Sequence, residues 1–375
     1  MSLELNDLRF SNFRNYESLK LDGLGSLTIF IGPNGSGKTN ILEGINLITA
    51  AESFRHPMIR QLIKEGSEHS SIYARSTGDG RVLDAELHME EGKRRFLING
   101  KAKTTADVKG VFPSVSFVPD DLELAKKSSS VKRDALDDLG CQLSKNYYMV
   151  RRDYQKTLRY KNRLLKEEAA PLLVDSIDET LVTCAAQLCF YRYELFKRMV
   201  SAVSNTYMSI SPSEEEFSSR YIPSWAHLGM RESLIDGNAM DGLSRDDIRE
   251  KISYCLDSMK AEERLRARAL VGPHADKIEF FLSGREVSDF ASQGQQRSIV
   301  LAWKLGEVEI VRQSLGTYPV LLLDDVMSEL DSMRRGLLID MVRRDVQTFI
   351  TATDLSYFPD DIIEKARVIE LPLNA

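Results

Sequence analysis

A chain of 375 residues with 42% hydrophobic content can bury a sizeable core, and two or three lobes are expected rather than one small domain. Its formal net charge of -6 excludes nucleic-acid binding through a bulk excess of Lys and Arg. Cys141, Cys184, Cys189 and Cys255 lack C-x-x-C or Cys/His ligand spacing, which excludes a disulfide scaffold and a thiolate metal site; with no apolar run long enough for a bilayer and no export signal at Met1 to Phe10, a soluble cytoplasmic protein with no membrane partner is expected.

In chain order, Leu3 to Phe10 and Ser26 to Ile31 read as strands. The second runs directly into Gly32-Pro33-Asn34-Gly35-Ser36-Gly37-Lys38-Thr39, and a helical pattern follows from Ile41 to Leu47. The spacing G-x-x-x-x-G-K-T in this setting predicts a cradle for a nucleoside triphosphate, ATP being the expected cofactor with Mg²⁺. Backbone N–H groups of the turn aim at the phosphates, Lys38 reaches the β/γ oxygens, Thr39 offers its hydroxyl to the metal, and Asn40 completes the cradle. Strands are expected again at Ser71 to Ser76, Val82 to Met89 and Arg94 to Ile98, where Asn99-Gly100 turns the chain back into Lys101 to Thr104.

From about Asp121 the pattern changes to long helices. One carries Val150, Tyr154, Leu158 and Leu165 at near-helical spacing, another Ile177, Leu181, Leu188, Leu195, Met199 and Val203, and Ala169-Ala170-Pro171 separates them, which predicts a helical hairpin. Between Lys145 and Lys166 eight basic residues face one acid, Asp153. Among them Arg152, Lys156, Arg159, Arg163 and Lys166 recur at steps of four and three, placing five cations on one helix face with Tyr148 a turn earlier. Such a row can track a DNA phosphate backbone without reading bases. A loop-rich stretch from Ser209 to Asp247, with Pro212, Pro223, Gly229, Gly237 and Gly242, precedes a charged helix from Asp246 to Ala267.

A strand at Ile278 to Leu282 comes next, then Ser292-Gln293-Gly294-Gln295-Gln296-Arg297, which opens a helix from Ser298 to Arg312 as a second anion-binding helix start. Val320 to Leu323 and Thr348 to Ile350 are short apolar runs of the kind buried parallel strands show. Asp324 emerges at the end of the first run, where it can hold Mg²⁺, and Asp325 beside it can orient the attacking water. Ser328-Glu329-Leu330-Asp331 follows at a short interval. The expected class is α/β, a P-loop ATPase head with a mixed sheet, made of residues 1–120 and 270–375, with a mainly helical lobe inserted at residues 121–269.

The order of phosphate loop, long helical insertion, S-x-G-Q-Q, L-L-L-D-D and S-E-L-D resembles the ABC-type ATPase head of chromosome-maintenance proteins, and more closely the RecF family. Phe13-Arg14-Asn15-Tyr16, Asn40 and Glu43 after the phosphate loop, Val271-Gly272-Pro273-His274, Phe290 to Arg297 and Asp325 carry that likeness over nearly the whole chain. The resemblance implies an ATP-dependent head-to-tail homodimer with two ATP molecules at the interface, in which Ser292, Gly294 and Gln295 of one copy close on the γ-phosphate held by Lys38 of the other, and Asp331 communicates between the two sites. It also implies binding of double-stranded and gapped DNA in recombinational repair and replication restart, slow DNA-stimulated hydrolysis that resets the clamp, and hand-over to RecR and RecO so that RecA can load. An ABC transporter subunit and a non-hydrolysing ATP-gated clamp are the alternatives.

Three departures from the pattern stand out. Ala275-Asp276-Lys277 replaces the family's Arg-Asp-Asp, Lys132-Arg133-Asp134-Ala135-Leu136-Asp137 replaces Arg-Arg-x-Phe-Leu-Asp, and Thr351-Ala352-Thr353-Asp354 stands where transporter heads carry a switch histidine.

Overall fold

A computed structural model describes residues 3–78, 80–211, 215–229, 239–344 and 346–372. The elements run β1 (Glu4–Phe13), β2 (Tyr16–Leu21), β3 (Leu27–Ile31), α1 (Lys38–Thr49), α2 (Ile59–Leu62), β4 (His69–Gly78), β5 (Arg81–Glu90), β6 (Lys93–Ile98), β7 (Lys101–Lys103), α3 (Thr105–Val108) and β8 (Ser114–Phe117). They continue as α4 (Ser129–Leu143), α5 (Lys145–Lys166), α6 (Pro171–Ile210), β9 (Phe217–Ile222), α7 (Ser224–Gly229), α8 (Arg245–Leu265), β10 (Lys277–Leu282), β11 (Arg285–Glu286), α9 (Val287–Phe290) and α10 (Gln293–Leu315). The last are β12 (Val320–Asp324), α11 (Val326–Glu329), α12 (Ser332–Val342), β13 (Thr348–Ala352), α13 (Asp360–Lys365) and β14 (Arg367–Glu370). Two compact units result, Met1–Glu123 with Val300–Ala375, and Leu124–Ile299.

The first unit holds two sheets. One, ordered β14-β3-β13-β12-β8, is parallel throughout. Its central strands β12 and β13 are buried at every position, which is why they read as unbroken apolar runs. The other, β2-β1-β4-β5-β6-β7, is antiparallel and alternates buried with exposed residues. Helix α1 serves both, because Ile41, Leu42 and Ile45 share one core with Phe30 and Phe349 of the parallel sheet and with Phe10, Ile72 and Leu87 of the antiparallel one. Gly44 permits that approach: a Cβ there would lie 2.2 Å from the Phe10 ring. Gln347, just before β13, ties the two sheets together, its amide bonding the Leu5 N–H and C=O at 2.7 and 2.8 Å and the Gly25 carbonyl at 3.1 Å.

β2, β8, β9 and β14 escape the sequence patterns, and each lies at the edge of its sheet. An edge strand is held from one side, so its side chains need satisfy less of the hydrophobic pattern that betrays a central strand.

The second unit is built on α4, α5, α6 and α8. The expected helical hairpin is α5 and α6, joined by a turn in which Ala169 N–H reaches Leu164 O at 3.0 Å and Pro171 occupies the first turn of the second helix, where its missing N–H costs nothing. The lobe expected to close at residue 269 instead continues to Ile299. Pairing explains the correction, since β10 lies antiparallel to β9 with Ile278 opposite Tyr221, which draws the 277–282 segment into the helical unit. Pro212 and Gly237 of the loop-rich stretch lie outside the described residues. All four cysteines are free, and no helix among the described residues is long and apolar enough to cross a membrane.

The departures at 132–137 and 275–277 acquire a physical account here. Asp276 is fully buried and accepts from the Tyr221 hydroxyl and from Ser224 N–H at 2.7 Å, with the Arg192 guanidinium 3.6 Å away. The loop after His274 therefore does take part in charge pairing, through the one acid it retains. Arg192 in turn grips Asp137 with two bonds of 2.8 and 2.9 Å. Where an aromatic is missing at position 135, Lys132 lays its ammonium 4.4 Å from the centre of the Phe280 ring instead.

Candidate functional site

The phosphate loop bridges β3 and α1, so the helix start lies beneath the turn as the sequence spacing requires. Gly35 and Gly37 adopt φ of 82° and 98°, values that a side chain would strain. Gly37 is constrained twice over, because a Cβ would fall 2.5 Å from the Tyr16 hydroxyl and 2.8 Å from Asn15 Nδ2. Lys38 is nearly buried, and its ammonium bonds the carbonyls of Gly32 and Pro33 at 2.7 and 3.1 Å, which holds it against the loop it is expected to serve.

Thr39 Oγ1 donates to Asp324 Oδ1 at 2.9 Å, and Thr351 Oγ1 donates to the same oxygen at 2.8 Å. The carboxylate thus joins the end of β12 to the start of α1 and to β13. Burial raises the Asp324 pKa above the ordinary carboxylate range, and Asp325 adds to the rise, while the two threonine hydroxyls and the Arg55 charge oppose it. A hydroxyl and a buried carboxylate this close form a hard-oxygen donor set that suits Mg²⁺, whose charge would reverse the penalty that burial imposes on Asp324. Asp325 follows in a left-handed conformation, φ 52°, with its N–H on Thr351 Oγ1 at 2.9 Å. Thr351 lies inside the buried strand β13, and a threonine there carries no sequence pattern that separates it from packing.

A second group the sequence patterns missed surrounds Glu43. This fully buried carboxylate receives Nε and Nη2 of Arg14 at 2.7 and 2.6 Å and the Ser53 hydroxyl at 2.6 Å, with Arg55 3.7 Å away. Arg55 also donates to Asn40 Oδ1 at 3.1 Å, and Asn40 donates to Asn15 at 2.8 Å. The expected cradle residue Asn40 is therefore part of a polar bracket that holds a half-exposed guanidinium close enough to lower the Asp324 pKa. The only signal was Phe13-Arg14-Asn15-Tyr16 and Glu43 within the family likeness.

In the other unit Ser292 and Gln295 form a reciprocal cap. Gln295 N–H donates to Ser292 Oγ at 3.2 Å and Ser292 N–H to Gln295 Oε1 at 2.6 Å, which starts α10 at Gln293 and leaves Ser292 exposed. Gln295 is braced further by Glu215 at 2.8 and 3.0 Å. Gly294 lies in the first turn of the same helix. Asp331 caps α12, accepting from Arg334 N–H at 2.9 Å and pairing with its guanidinium. Asp354 caps a turn through Ser356 N–H at 2.8 Å.

The basic helix needs one correction. Of its eight cations, Arg151 is turned inward onto Asp134, Asp137 and Asp138, and Lys161 is fully buried 2.6 Å from Asp178 and 2.7 Å from Glu263. The local positive excess read from sequence therefore overstates the surface charge. Arg152, Lys156, Arg159, Arg163 and Lys166 are all exposed on the other face, with Arg152 paired to Asp153 at 2.8 Å and Arg163 5.1 Å over the Tyr160 ring.

Comparison with known proteins agrees with this layout. Residues 4–361 match the RecF/RecN/SMC N terminal domain family. The chain is 35% identical over 370 residues to the DNA replication and repair protein RecF of Geobacillus kaustophilus, covering 97% of this chain and 96% of that one. It superposes on the structure of the recombination mediator protein RecF with ATP, TM-score 0.85 at 30% identity over 96% of this chain and 94% of that chain. An Smc head domain with an extended coiled coil from Pyrococcus furiosus shares the fold alone, TM-score 0.50 at 15% identity over 98% and 93% of the two chains. The chain belongs to the RecF family of DNA replication and repair proteins, built on the ABC-type ATPase head.

Proposed function

We propose that the protein is an ATP-driven DNA clamp of recombinational repair and replication restart. The observation that carries the reading is the convergence of Thr39, Asp324 and Thr351 beneath the phosphate loop, which couples the triphosphate cradle to the acidic strand. Lys38 neutralises β/γ charge, Thr39 and Asp324 would hold Mg²⁺, which would supply further positive charge to the phosphates, and Asp325 orients the attacking water. Arg55, anchored on Glu43 and Asn40, adds a guanidinium beside Asp324. The pocket is completed by a second copy, whose Ser292 and Gly294 cap the γ-phosphate at the start of α10, with Gln295 fixing that cap and Asp331 linking the two sites. ATP then favours the dimer and hydrolysis loosens it, a population shift set by differential binding.

Duplex DNA next to a single-strand gap lies along the exposed row on α5, held through its phosphates. Partners equivalent to RecR and RecO receive it; the RecF solved with ATP is itself described within the RecFOR pathway. The stretch Thr351-Ala352-Thr353-Asp354 holds no histidine, which argues against a transporter subunit. The test is molecular mass at micromolar protein with ATP, with ADP and without nucleotide, for the parent and for Ser292→Ala/Gly294→Gln. A dimer with ATP alone, abolished in the variant, is expected. A parent that stays monomeric, or a variant that dimerises and turns over ATP like the parent, overturns the reading.

A further inference from the structure

The segment 269–276 joins α8 to β10 and contains Gly272-Pro273-His274, which the nucleotide site does not use. Its polar groups are taken up by the surrounding helices. Ala269 N–H donates to Asn162 Oδ1 at 2.7 Å, and Leu270 N–H donates to Glu263 Oε1 at 2.7 Å, while the other oxygen of Glu263 meets the Lys161 ammonium. The Tyr154 hydroxyl lies 2.5 Å from His274 Nδ1, and His274 Nε2 lies 3.2 Å from the Ala269 carbonyl. A carbonyl can only accept, so Nε2 carries the ring proton and Tyr154 donates to Nδ1. Burial lowers the His274 pKa, which keeps the ring in the neutral state this arrangement needs.

The opposite side is held as firmly. Arg133 donates to the carbonyls of His274, at 2.7 Å, and Asp276, and Arg192 donates to that of Pro273 at 2.6 Å. Gly272 has φ 137°, and a Cβ there would sit 2.5 Å from the Tyr154 oxygen, so the closeness of helix and loop requires glycine. Beyond the segment, Ser129 Oγ accepts from Ile278 N–H at 3.1 Å and ties α4 to β10 as well.

Tyr154 and Asn162 thus grip the segment directly from the inner face of α5, and Lys161 does so through Glu263, while Arg152, Lys156 and Arg159 occupy its outer face. The segment passes directly into β10 and, through β11 and α9, reaches Ser292. We infer that residues 269–276 are a strut through which duplex DNA on the outer face of α5 sets the position of the Ser292 helix start, with Tyr154 and His274 as positioning residues. The inference rests on the DNA reading above. Its physical basis is a contiguous chain of hydrogen bonds that fixes the segment from both sides, so that a displacement of α5 is passed on rather than absorbed.

The test uses the full chain, a plain duplex oligonucleotide, ATP turnover and hydrogen–deuterium exchange over residues 285–296. In the parent, saturating duplex is expected to change both turnover and exchange. In Tyr154→Phe, duplex affinity and basal turnover should stay within about twofold of the parent, while the duplex effect on both readouts falls by about threefold or more. Should that variant fail to fold, His274→Gln removes the same hydrogen bond from the loop side and is read identically. A folded variant that keeps the full duplex effect overturns the strut and leaves the DNA reading intact. A parent that binds duplex with neither readout moving also overturns the strut. A parent that binds no duplex overturns the DNA reading and the strut with it.

Discussion

Thr39 and Asp324, 285 residues apart in sequence, meet at 2.9 Å, and the second hydroxyl on the same carboxylate oxygen comes from Thr351. Burial works against the charge on Asp324 and the two donors work for it. Removing one donor should therefore weaken the metal site without emptying the cradle. Thr351→Val is expected to cost about 1.5–3 kcal/mol at the carboxylate, seen as roughly a 10- to 100-fold loss in apparent Mg²⁺ affinity with ATP binding preserved. Isothermal titration of ATP at several Mg²⁺ concentrations separates the two.

Charge reversal at Arg152, Lys156 and Arg159 should weaken duplex binding and flatten its salt dependence, the slope of log affinity against log salt falling by about 0.9 for each phosphate no longer neutralised. Thermal stability should change little, because all three are exposed. Reversal at Arg151 is the control: its partners Asp134, Asp137 and Asp138 would be left facing a like charge, and stability rather than salt slope should respond. Binding isotherms across a salt series, with melting curves alongside, distinguish the cases.

The Arg192 guanidinium holds Asp137 and the Pro273 carbonyl in the core of the second unit. Its replacement by Met leaves Asp137 buried with a weaker counterion and is expected to cost about 3–5 kcal/mol. The double variant Asp137→Leu/Arg192→Met should recover part of that loss, since the acid that would stand without its partner is gone. Denaturant unfolding of the three proteins measures the difference.

Glu307 is buried beside Lys304, 3.4 Å away, and accepts from Trp303 Nε1 at 2.8 Å, while Asp121 lies 3.3 Å from the same lysine. Burial outweighs the lysine and pushes its pKa up to about 7. An acid whose folded pKa is raised binds more protons folded than unfolded, so its contribution to stability declines as pH rises from the ordinary glutamate value towards 7. Glu307→Gln should remove that decline, and its melting temperature should vary less between pH 5 and pH 8 than that of the parent, an interval of about three units around the shifted pKa. A calorimetric pH series reads it directly.

How much of this was visible in the residue order depends on the distance over which each interaction acts. The phosphate loop and the Val320 to Asp325 run announce themselves because glycine spacing and unbroken apolar strands are local requirements of the backbone. Thr351 and Arg55 do not, because their roles arise only when β13 and the loop after α1 meet Asp324 and Glu43. The basic helix is an intermediate case. Its period placed five cations on one exposed face, yet composition could not reveal that Arg151 and Lys161 are committed to acids supplied by α4, α6 and α8. Likewise Ile278 to Leu282 reads as a strand, but its partner β9 sits among polar and turn-forming residues, and so the lobe boundary fell at the wrong end of it.

Strand β3, which delivers the phosphate loop, lies between β13 and β14, and both neighbours come from the last thirty or so positions of the chain. The helical unit, by contrast, is a single uninterrupted stretch. During synthesis the helical unit can condense while the cradle still lacks its sheet, and Lys38 acquires its final surroundings only once β13 and β14 have been made. A nascent chain stalled before β13 would carry every residue of the phosphate loop and yet offer ATP no ordered seat.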